Sequence, residues 1–371
     1  MMRQTHGQRP VPDHRPKRPM GDPFAAVQGA ASRIPRSGSA DPKITVEGGA
    51  MAGEAKPGRS PEDVVRLIQR WNPRAVRDLE PMEEGQMSAA FRFHQGGEAF
   101  VIRLSFGTAG YRRDRYAYET LANATGLPIP RIQWIAEESG AAYAIAEYLP
   151  GSLLRELPGT EVQTLLPQLL PLLEGLQQGP QEPHPGGFGL FSPDVSATAP
   201  DWRTALQRLF VEPSTGYYAR WHDLFNDTLF PAETFWPLYE RMLELAAYAP
   251  SRPFVVHGDF HTGNIMADGE RITGLIDWAQ ALWGDWAYDV ATFQLWSPQF
   301  NLGRLVMEQA LRHGFDASHF QERFWCSCYA VGLDAWRFMA KIDDRPGQEY
   351  VNRQLTSMES AEWAQVLPSS R

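Results

Sequence analysis

The segment 257–278, HGDFHTGNIMADGERITGLIDW, constrains the fold of this chain more than any other stretch. The apolar, β-branched run 253–257 is typical of a buried strand, and glycines at both ends of the following loop permit a tight turn. Two short apolar runs then flank the Asp-Gly dipeptide at 268–269, which favours a β-hairpin. We therefore predict a strand, a loop and a hairpin that returns Asp277 to the level of Asn264.

The polar residues of this segment have the spacing of a phosphoryl-transfer centre. Asn264 follows Asp259 by five positions, and Asp277 comes thirteen positions later. Asp259 can accept the proton of an attacking hydroxyl, so we predict it as the catalytic base. Asn264 and Asp277 offer the hard oxygen ligands that Mg²⁺ prefers when it bridges nucleotide phosphates, so we predict them as metal ligands.

Two other interpretations of the segment stay open. His257, Asp259 and His261 alternate in a way that could ligate zinc in a hydrolase. A single Asp in a loop, in turn, commonly does no more than form a turn or cap a helix. A zinc site would make no use of Asn264 or Asp277, which favours the phosphotransferase interpretation.

Composition narrows the class of protein. The 371 residues are 43% hydrophobic, which is enough for two lobes with their own cores. The sequence contains no apolar run of membrane-spanning length and no secretory h-region, so we expect no membrane association. The only two cysteines, Cys326 and Cys328, are too close in sequence for a disulfide that would crosslink distant parts of the fold. This low cysteine content indicates a reducing, cytoplasmic setting.

The charge is unevenly distributed along the chain. The first 59 residues carry ten Lys or Arg and five Asp or Glu, so they contribute +5 to a net charge of −9 and leave −14 for the rest. An acidic body argues against a nucleic-acid partner and favours a cationic small-molecule substrate. Solubility alone is an alternative reason for such acidity. We expect a monomer that binds this substrate and a nucleotide.

The chain divides into three parts by composition. Residues 1–58 are rich in Pro, Gly, Arg and Ser without periodicity, so we predict a disordered segment or a mis-assigned N-terminal extension. Residues 59–149 combine helices with β-hairpin patterns and form the predicted nucleotide-binding N-lobe. A Pro-Gly break then precedes residues 150–371, which are mostly helical and form the predicted catalytic and substrate-binding C-lobe.

A nucleotide-binding lobe must grip the phosphates with a cation and hold that cation with a carboxylate. No lysine occurs between Lys56 and Lys341, so we predict that Arg103, on the second strand of the first hairpin, is this cation. Its carboxylate partner is either Asp114 or Glu119 on the next predicted helix, and we favour Asp114, a turn or two from the helix start.

Two further contacts with the nucleotide are predicted in this lobe. The loop 84–88, which ends at Ser88, is the candidate for covering the phosphates, although it holds a single glycine. Glu147 and Leu149, just before the Pro-Gly break, belong to the predicted hinge, where backbone groups would meet the base.

Candidate substrate contacts follow from the need for acidic and aromatic groups. Trp283 could stack on a sugar ring, and Asp285, Asp223 and Asp334 could pair with a cation. For Asp285 the role of helix cap is the stronger interpretation, and for Trp283 a place in the core is an open alternative.

The chain resembles the aminoglycoside phosphotransferase family, which is similar to choline kinases and more remotely to protein kinases. Within it, the chain resembles the hygromycin B phosphotransferases. The stretches that carry this resemblance cover roughly residues 60–355 and include EGQMSAAFRF, FVIRL, RDRYAYETLANATGLPIPRI, GFGLF, HGDFHTGN, RITGLIDWAQALWGD and VGLDAW.

The resemblance implies an α+β, two-lobed protein-kinase-like fold, with a small β-rich lobe and a larger helical one. It also implies ATP and Mg²⁺, and phosphorylation of a hydroxyl on a hygromycin B-like aminoglycoside, an antibiotic-resistance activity. Arg at position 103 agrees with the pattern of the hygromycin-type enzymes, whereas the long N-terminal segment departs from it. A metabolic kinase for choline, an amino alcohol or another sugar is the alternative.

Overall fold

A computed structural model describes residues 60–82, 89–138, 140–179, 187–193, 199–313, 318–358 and 360. The N-terminal segment 1–58 and the predicted phosphate-covering loop 84–88, with Ser88, lie outside the described residues. The predicted α+β class is confirmed, because a five-stranded sheet is followed by a mostly helical region.

Helix α1 (Pro61–Trp71) begins the described chain and covers one face of this sheet. Its start is a capping box, in which the Asp63 N–H donates to the Ser60 hydroxyl and the Ser60 N–H donates to the Asp63 carboxylate. The helix buries Val64 and Ile68 against alternate residues of the sheet, which forms a compact core for this region.

The sheet is antiparallel throughout, with the order β1-β2-β3-β5-β4. Its strands are β1 (Arg77–Pro81), β2 (Ala89–Gln95), β3 (Glu98–Ser105), β4 (Ile132–Glu138) and β5 (Ala141–Glu147). The predicted hairpin of β2 and β3 is confirmed, and β1 adds an edge strand that the sequence pattern did not reveal. Because side chains alternate along β3, Ile102 and Leu104 face the core while Arg103 projects from the other face.

Helix α2 (Ala109–Ala117) lies on the Arg103 face of the sheet and continues through a π-helical turn (Tyr118–Ala122) to Thr125. It packs against a 3₁₀ turn (Trp278–Gln280) that directly follows Asp277. Gly110 permits this approach, since a Cβ there would lie 3.2 Å from the Ala279 Cβ. The helix therefore joins the sheet region to the predicted catalytic segment, 257–278.

Helices dominate the rest of the described chain and enclose a second, larger core. They are α3 (Gly159–Leu165), α4 (Leu169–Gln177), α5 (Trp202–Leu209), α6 (Ala232–Leu245), α7 (Ala287–Trp296), α8 (Leu302–His313), α9 (Phe320–Lys341) and α10 (Arg345–Ser357). The long helix α9 packs against α6, α7 and α10 at the centre of this region. No helix in the described ranges is both long and apolar enough to cross a membrane.

Two small three-stranded sheets hold the catalytic segment against these helices, with the orders β10-β9-β6 and β7-β11-β8. Their strands are β6 (Ser152–Leu153), β7 (Gly189–Leu190), β8 (Phe254–Val256), β9 (Ile265–Ala267), β10 (Ile272–Leu275) and β11 (Leu282–Gly284). The predicted strand, loop and hairpin are confirmed as β8, the loop 257–264 and the β9–β10 pair.

Two stretches of the mostly helical region are not continuous helices. The stretch 217–229 forms only a 3₁₀ turn (Trp221–Asn226), because the aromatic side chains there pack as a cluster and Arg220 adopts a left-handed backbone before it. The stretch 159–177 is divided into two helices, α3 and α4, by a 3₁₀ turn that contains Pro167.

Candidate active site

His257 fixes the start of the catalytic loop. Its Nε2 lies 3.0 Å from the Ile276 carbonyl and its Nδ1 accepts the Asp259 N–H at 3.3 Å. Burial lowers the pKa of His257 to about 4, so the ring is neutral and carries its proton on Nε2. Both ring nitrogens are therefore occupied, which argues against the zinc interpretation. The described residues also contain no cluster of three His, Cys, Asp or Glu that could hold a metal.

Asp259 projects from the loop with its side chain 38% exposed. Its Oδ2 accepts the Asn264 Nδ2 at 2.8 Å, and its Oδ1 lies 3.3 Å from the His261 Nε2. Burial pushes the pKa of Asp259 upward, but the hydrogen bonds and charges of its neighbours, led by His261, outweigh burial and lower it. The carboxylate is thus ionised and can accept a proton.

Asn264 is held so that its amide oxygen is left for another partner. Its Nδ2 donates to both the main-chain carbonyl and the Oδ2 of Asp259, each at 2.8 Å. Its own carbonyl accepts the Ile276 N–H at 2.9 Å, which extends the β9–β10 pairing toward the catalytic loop. The hairpin thereby places Asp277, the next residue, beside Asn264, as the spacing predicted.

Asp277 stands at the end of the hairpin in a left-handed backbone conformation, with φ 63° and ψ 72°. A non-glycine residue in this conformation is strained, and such strain is commonly concentrated at functional sites. One carboxylate oxygen lies 3.1 Å from the Arg103 Nη2, and the side chain is 37% exposed. The other Asp277 carboxylate oxygen makes no ion pair with Arg103 and can bind a metal ion.

Arg103 connects this hairpin to helix α2. Its Nη1 donates to the Asp114 Oδ2 at 3.0 Å, and the other Asp114 oxygen accepts the Trp278 N–H at 2.7 Å. Burial raises the pKa of Asp114 to about 6 against the lowering effect of Arg103. The structure thus pairs Arg103 with Asp114, whereas Glu119 is exposed on the π-helical turn.

The donor set of this site fits a magnesium ion. The Asn264 nitrogen is committed to Asp259, which leaves an amide oxygen, and Asp277 adds a carboxylate oxygen. Hard oxygen donors of this kind are those that Mg²⁺ selects, and few of them suffice because Mg²⁺ keeps water and phosphate ligands.

Asp289 binds the start of the loop 257–264, although it lies far from this loop in sequence. It is buried on α7, and its two oxygens accept the N–H groups of His257 at 2.8 Å and Gly258 at 2.9 Å. Burial raises its pKa to about 7 despite these two hydrogen bonds. A buried carboxylate in the apolar stretch WAYDVATF must have a specific partner, and this was the available signal.

Position 258, whose N–H binds Asp289, requires glycine. Gly258 has φ +82°, and a Cβ at this position would lie 2.1 Å from the Gln280 carbonyl oxygen. The loop therefore runs against the turn that follows Asp277, which brings Asp259 and Asp277 to one side of the molecule.

The predicted hinge lies between the sheet and the catalytic hairpin. Glu147 ends β5, and its N–H donates to the Arg131 carbonyl at 3.0 Å. Leu149 packs on Gly274 of β10, where a Cβ would be only 2.3 Å from the leucine methyl carbon. Both residues are thus placed where the chain passes between the two regions.

The structure corrects the predicted substrate roles of Asp285 and Trp283. Asp285 is 1% exposed, and its two oxygens accept the Arg323 Nε and Nη2 at 2.9 and 2.6 Å. The Asp285 carboxylate also accepts the Ala287 N–H at the start of α7, whose N-cap residue, Trp286, makes no side-chain hydrogen bond. The role of Asp285 is therefore structural. Trp283 is buried beside the Phe191 ring and has no face available to a ligand.

The two other predicted acids are more accessible. Asp223 is exposed and pairs with Arg220. Asp334 is one-third exposed and pairs with the buried Arg337. Burial is the main cause of the raised pKa of Tyr288, and the negative charges of Asp334, Asp289 and Asp259 add to it. Substrate contacts for Asp223 and Asp334 stay predictions.

Comparison with known proteins shows which family the chain matches. Residues 78–323 match the model of the phosphotransferase enzyme family. Hygromycin-B 4-O-kinase of Escherichia coli is 32% identical over 254 residues, which are 68% of this chain and 70% of that protein.

Solved structures show the same fold. A thermostable mutant of aminoglycoside phosphotransferase APH(4)-Ia, in ternary complex with ADP and hygromycin B, superposes with a TM-score of 0.66 at 24% identity, over 80% of this chain and 99% of that one. A putative fructosamine-3-kinase from Haemophilus somnus gives 0.53 at 13% identity, over 78% and 96%. The chain therefore belongs to the phosphotransferase enzyme family and has its kinase-like fold.

Proposed function

We propose that this enzyme transfers the γ-phosphate of ATP, in the presence of Mg²⁺, to a hydroxyl of an aminoglycoside of the hygromycin B type. The observations that support the proposal are the hydrogen bond from Asn264 to Asp259, the hairpin pairing of Ile276 with Asn264, and the ion pair of Arg103 with Asp277. The acceptor is inferred from the E. coli hygromycin-B 4-O-kinase, which this chain resembles over most of its length.

The chemistry follows from the placement of these groups. Asp259 accepts the proton of the acceptor hydroxyl as its oxygen attacks the phosphate, and the low pKa of Asp259 keeps it ionised for this task. Asn264 and Asp277 would hold Mg²⁺, which when bound neutralises charge on the phosphates. Positioning and electrostatics supply most of the rate in such reactions.

The nucleotide would lie between the sheet and the catalytic hairpin. Arg103 is ion-paired on both sides, so it is held in place to meet a phosphate with its remaining N–H groups. We propose that the lobes 59–149 and 150–371 meet here, with Ser88 over the phosphates and the backbone of Glu147–Leu149 at the base.

The acceptor would be recognised by charge. Residues 60–371 carry a net charge of −14, which attracts a cationic aminoglycoside. Asp334, which is one-third exposed, is one candidate acid for an amino group of the acceptor, and Asp223 is a more exposed second candidate. The buried, free Cys326 and Cys328 support the cytoplasmic setting that we propose for this enzyme, and we also propose that it is a monomer.

An acceptor panel tests the proposed function. Purified enzyme, ATP and Mg²⁺ are incubated separately with hygromycin B, other aminoglycosides, choline and simple sugars. The mass of each acceptor is then measured by mass spectrometry. We expect hygromycin B to gain one phosphate group. Phosphate gain by choline or a sugar, with none on any aminoglycoside, would replace the proposed acceptor by a metabolic one.

A further inference from the structure

His261 lies between the proposed base and the proposed metal ligand, and nothing in the reaction so far uses it. Its Nδ1 accepts the Gly263 N–H at 2.9 Å, and its Nε2 lies 3.3 Å from the Asp259 Oδ1. The same Nε2 is 3.5 Å from the Asn264 Nδ2. The side chain is largely buried, so these contacts are sheltered from water.

These partners decide where the His261 proton lies. A backbone N–H only donates, so the Nδ1 that faces Gly263 must be the accepting nitrogen. The neutral ring therefore carries its hydrogen on Nε2, and that hydrogen faces the Asp259 carboxylate. A proton already on Nε2 also means that His261 cannot itself act as the base or as a metal ligand through that atom.

The consequence is that Asp259 is held at both oxygens. Asn264 donates to Oδ2 and His261 donates to Oδ1, and these two bonds come from opposite ends of the carboxylate. A carboxylate held at one oxygen can still rotate about its last single bond, whereas one held at two cannot. The remaining lone pairs then point in a fixed direction.

We propose that His261 is a positioning residue, which fixes the orientation in which the Asp259 carboxylate receives the proton of the acceptor hydroxyl. The proposal rests on the proposed function through the role of Asp259 as base. Small errors in the placement of a reacting group are costly, so loss of this contact lowers the rate of transfer rather than the affinity for either substrate.

Two substitutions separate this role from that of a loop former. His261→Asn keeps an oxygen that can accept the Gly263 N–H, since Asn favours such a turn, but it does not reach Asp259. His261→Gln places an amide N–H at nearly the reach of Nε2. We expect His261→Asn to lower kcat about tenfold with KM for ATP and acceptor within about twofold, and His261→Gln to recover most of the rate.

A double-mutant cycle that combines His261→Asn with Asp259→Asn completes the test. If His261 acts through Asp259, His261→Asn lowers the small residual rate of Asp259→Asn by less than about a further twofold. The rates are measured both as transfer to hygromycin B and as acceptor-free ATP hydrolysis, so that the variants can be compared even if the acceptor is another compound.

Each outcome has a separate meaning. Unchanged kcat in His261→Asn, equal loss in His261→Gln, or a tenfold effect that persists in the Asp259→Asn background overturns the positioning role. Full activity of Asp259→Asn itself overturns the proposed base, and with it the proposed function. A thermal melt of each variant confirms that the comparison is between folded proteins.

Discussion

Two arginine–aspartate clusters in this molecule share their chemistry and differ in their surroundings. In the cleft cluster, Arg103 pairs with Asp114 and with Asp277, whose side chain is more than one-third exposed. In the interior cluster, Arg323 binds Asp285 through two hydrogen bonds, and both side chains are almost fully buried. The same pair of residue types thus occurs once at a site open to ligands and once inside the core.

The difference lies in what each carboxylate has left over. Both oxygens of Asp285 are used within the protein, by Arg323 and by the Ala287 N–H. Asp277 gives one oxygen to Arg103 and keeps the other in a strained, exposed position. An ion pair with a spare, accessible oxygen is organised for a ligand, whereas one with none contributes to the fold.

The largest expected effect is the loss of a metal ligand from the cleft cluster. Asp277→Asn retains a residue that tolerates the left-handed backbone but removes the charge that would bind Mg²⁺. We expect kcat/KM to fall about a thousandfold, which corresponds to about 4 kcal/mol, with the melting temperature nearly unchanged. Steady-state kinetics and a thermal melt measure both, and activity within tenfold of wild type would remove Asp277 from the site.

Asp285→Asn should produce the opposite result in the interior cluster. The buried Arg323 would lose its charged partner, and breaking a buried pair in this way costs about 3 kcal/mol of unfolding free energy. Denaturant unfolding measures the loss, and kcat per folded molecule should stay within about threefold of wild type. A stable variant without activity would mean that Asp285 belongs to the active site after all.

Substitutions of Asp289 test whether a fully buried aspartate can still affect the catalytic rate. It is buried like Asp285, yet it holds the N–H groups of His257 and Gly258 in the catalytic loop. We expect Asp289→Ala to lower kcat about thirtyfold, or about 2 kcal/mol, and Asp289→Asn to lower it less because one amide oxygen can still accept. Equal, small effects of both substitutions would confine Asp289 to the fold.

A milder change concerns the shape of the cation in the cleft cluster. Arg103→Lys keeps the charge but cannot bridge Asp114 and Asp277 with one planar group. The expected result is a rise of about tenfold in KM for ATP, or about 1.4 kcal/mol, with a smaller change in kcat. Direct titration of ATP binding checks it, and unaltered affinity would count against contact between Arg103 and the phosphates.

The smallest expected effect is a dependence of stability on pH. Burial lowers the pKa of His257 to about 4, so its contribution to stability is complete above its usual 6.5 and is lost as the pH falls toward 4. Burial raises the pKa of Asp289 to about 7, so its contribution is present at low pH and is lost as the pH rises through 7. Each accounts for about 1 kcal/mol between pH 6 and 8, in opposite directions.

Variants of these two residues sharpen the pH comparison. Asp289→Asn should remove the fall in unfolding free energy as the pH rises from 6 to 8, and His257→Asn should remove the fall as the pH decreases from 8 to 6. Chemical denaturation at pH 6, 7 and 8 measures both limbs. A pH profile of Asp289→Asn that is parallel to wild type would show that Asp289 does not titrate in this range.

The parts of the site that were predictable from sequence are those set by local patterns. The Asp-Gly turn and its flanking strands indicated the hairpin, and the hairpin in turn set Asp277 beside Asn264. The alternation along β3 likewise placed Arg103 opposite the core.

The parts that were not predictable depend on contacts between distant residues. The Asp114 carboxylate meets the Trp278 N–H across 164 positions, and Asp285 meets Arg323 across 38. Periodicity describes which face of a strand or helix is buried, but it carries no information on which partner a buried charge finds. Asp285 and Asp289 therefore looked alike in sequence and differ in the structure.

The central claim is that Asp259, Asn264 and Asp277 form a phosphotransfer centre for an aminoglycoside hydroxyl. The most direct test is to incubate wild-type protein and Asp259→Asn with ATP, Mg²⁺ and hygromycin B and to follow the mass of the antibiotic. The account predicts that the wild type adds one phosphate group per molecule and that Asp259→Asn, although folded, adds essentially none. Equal phosphorylation by both proteins would contradict it.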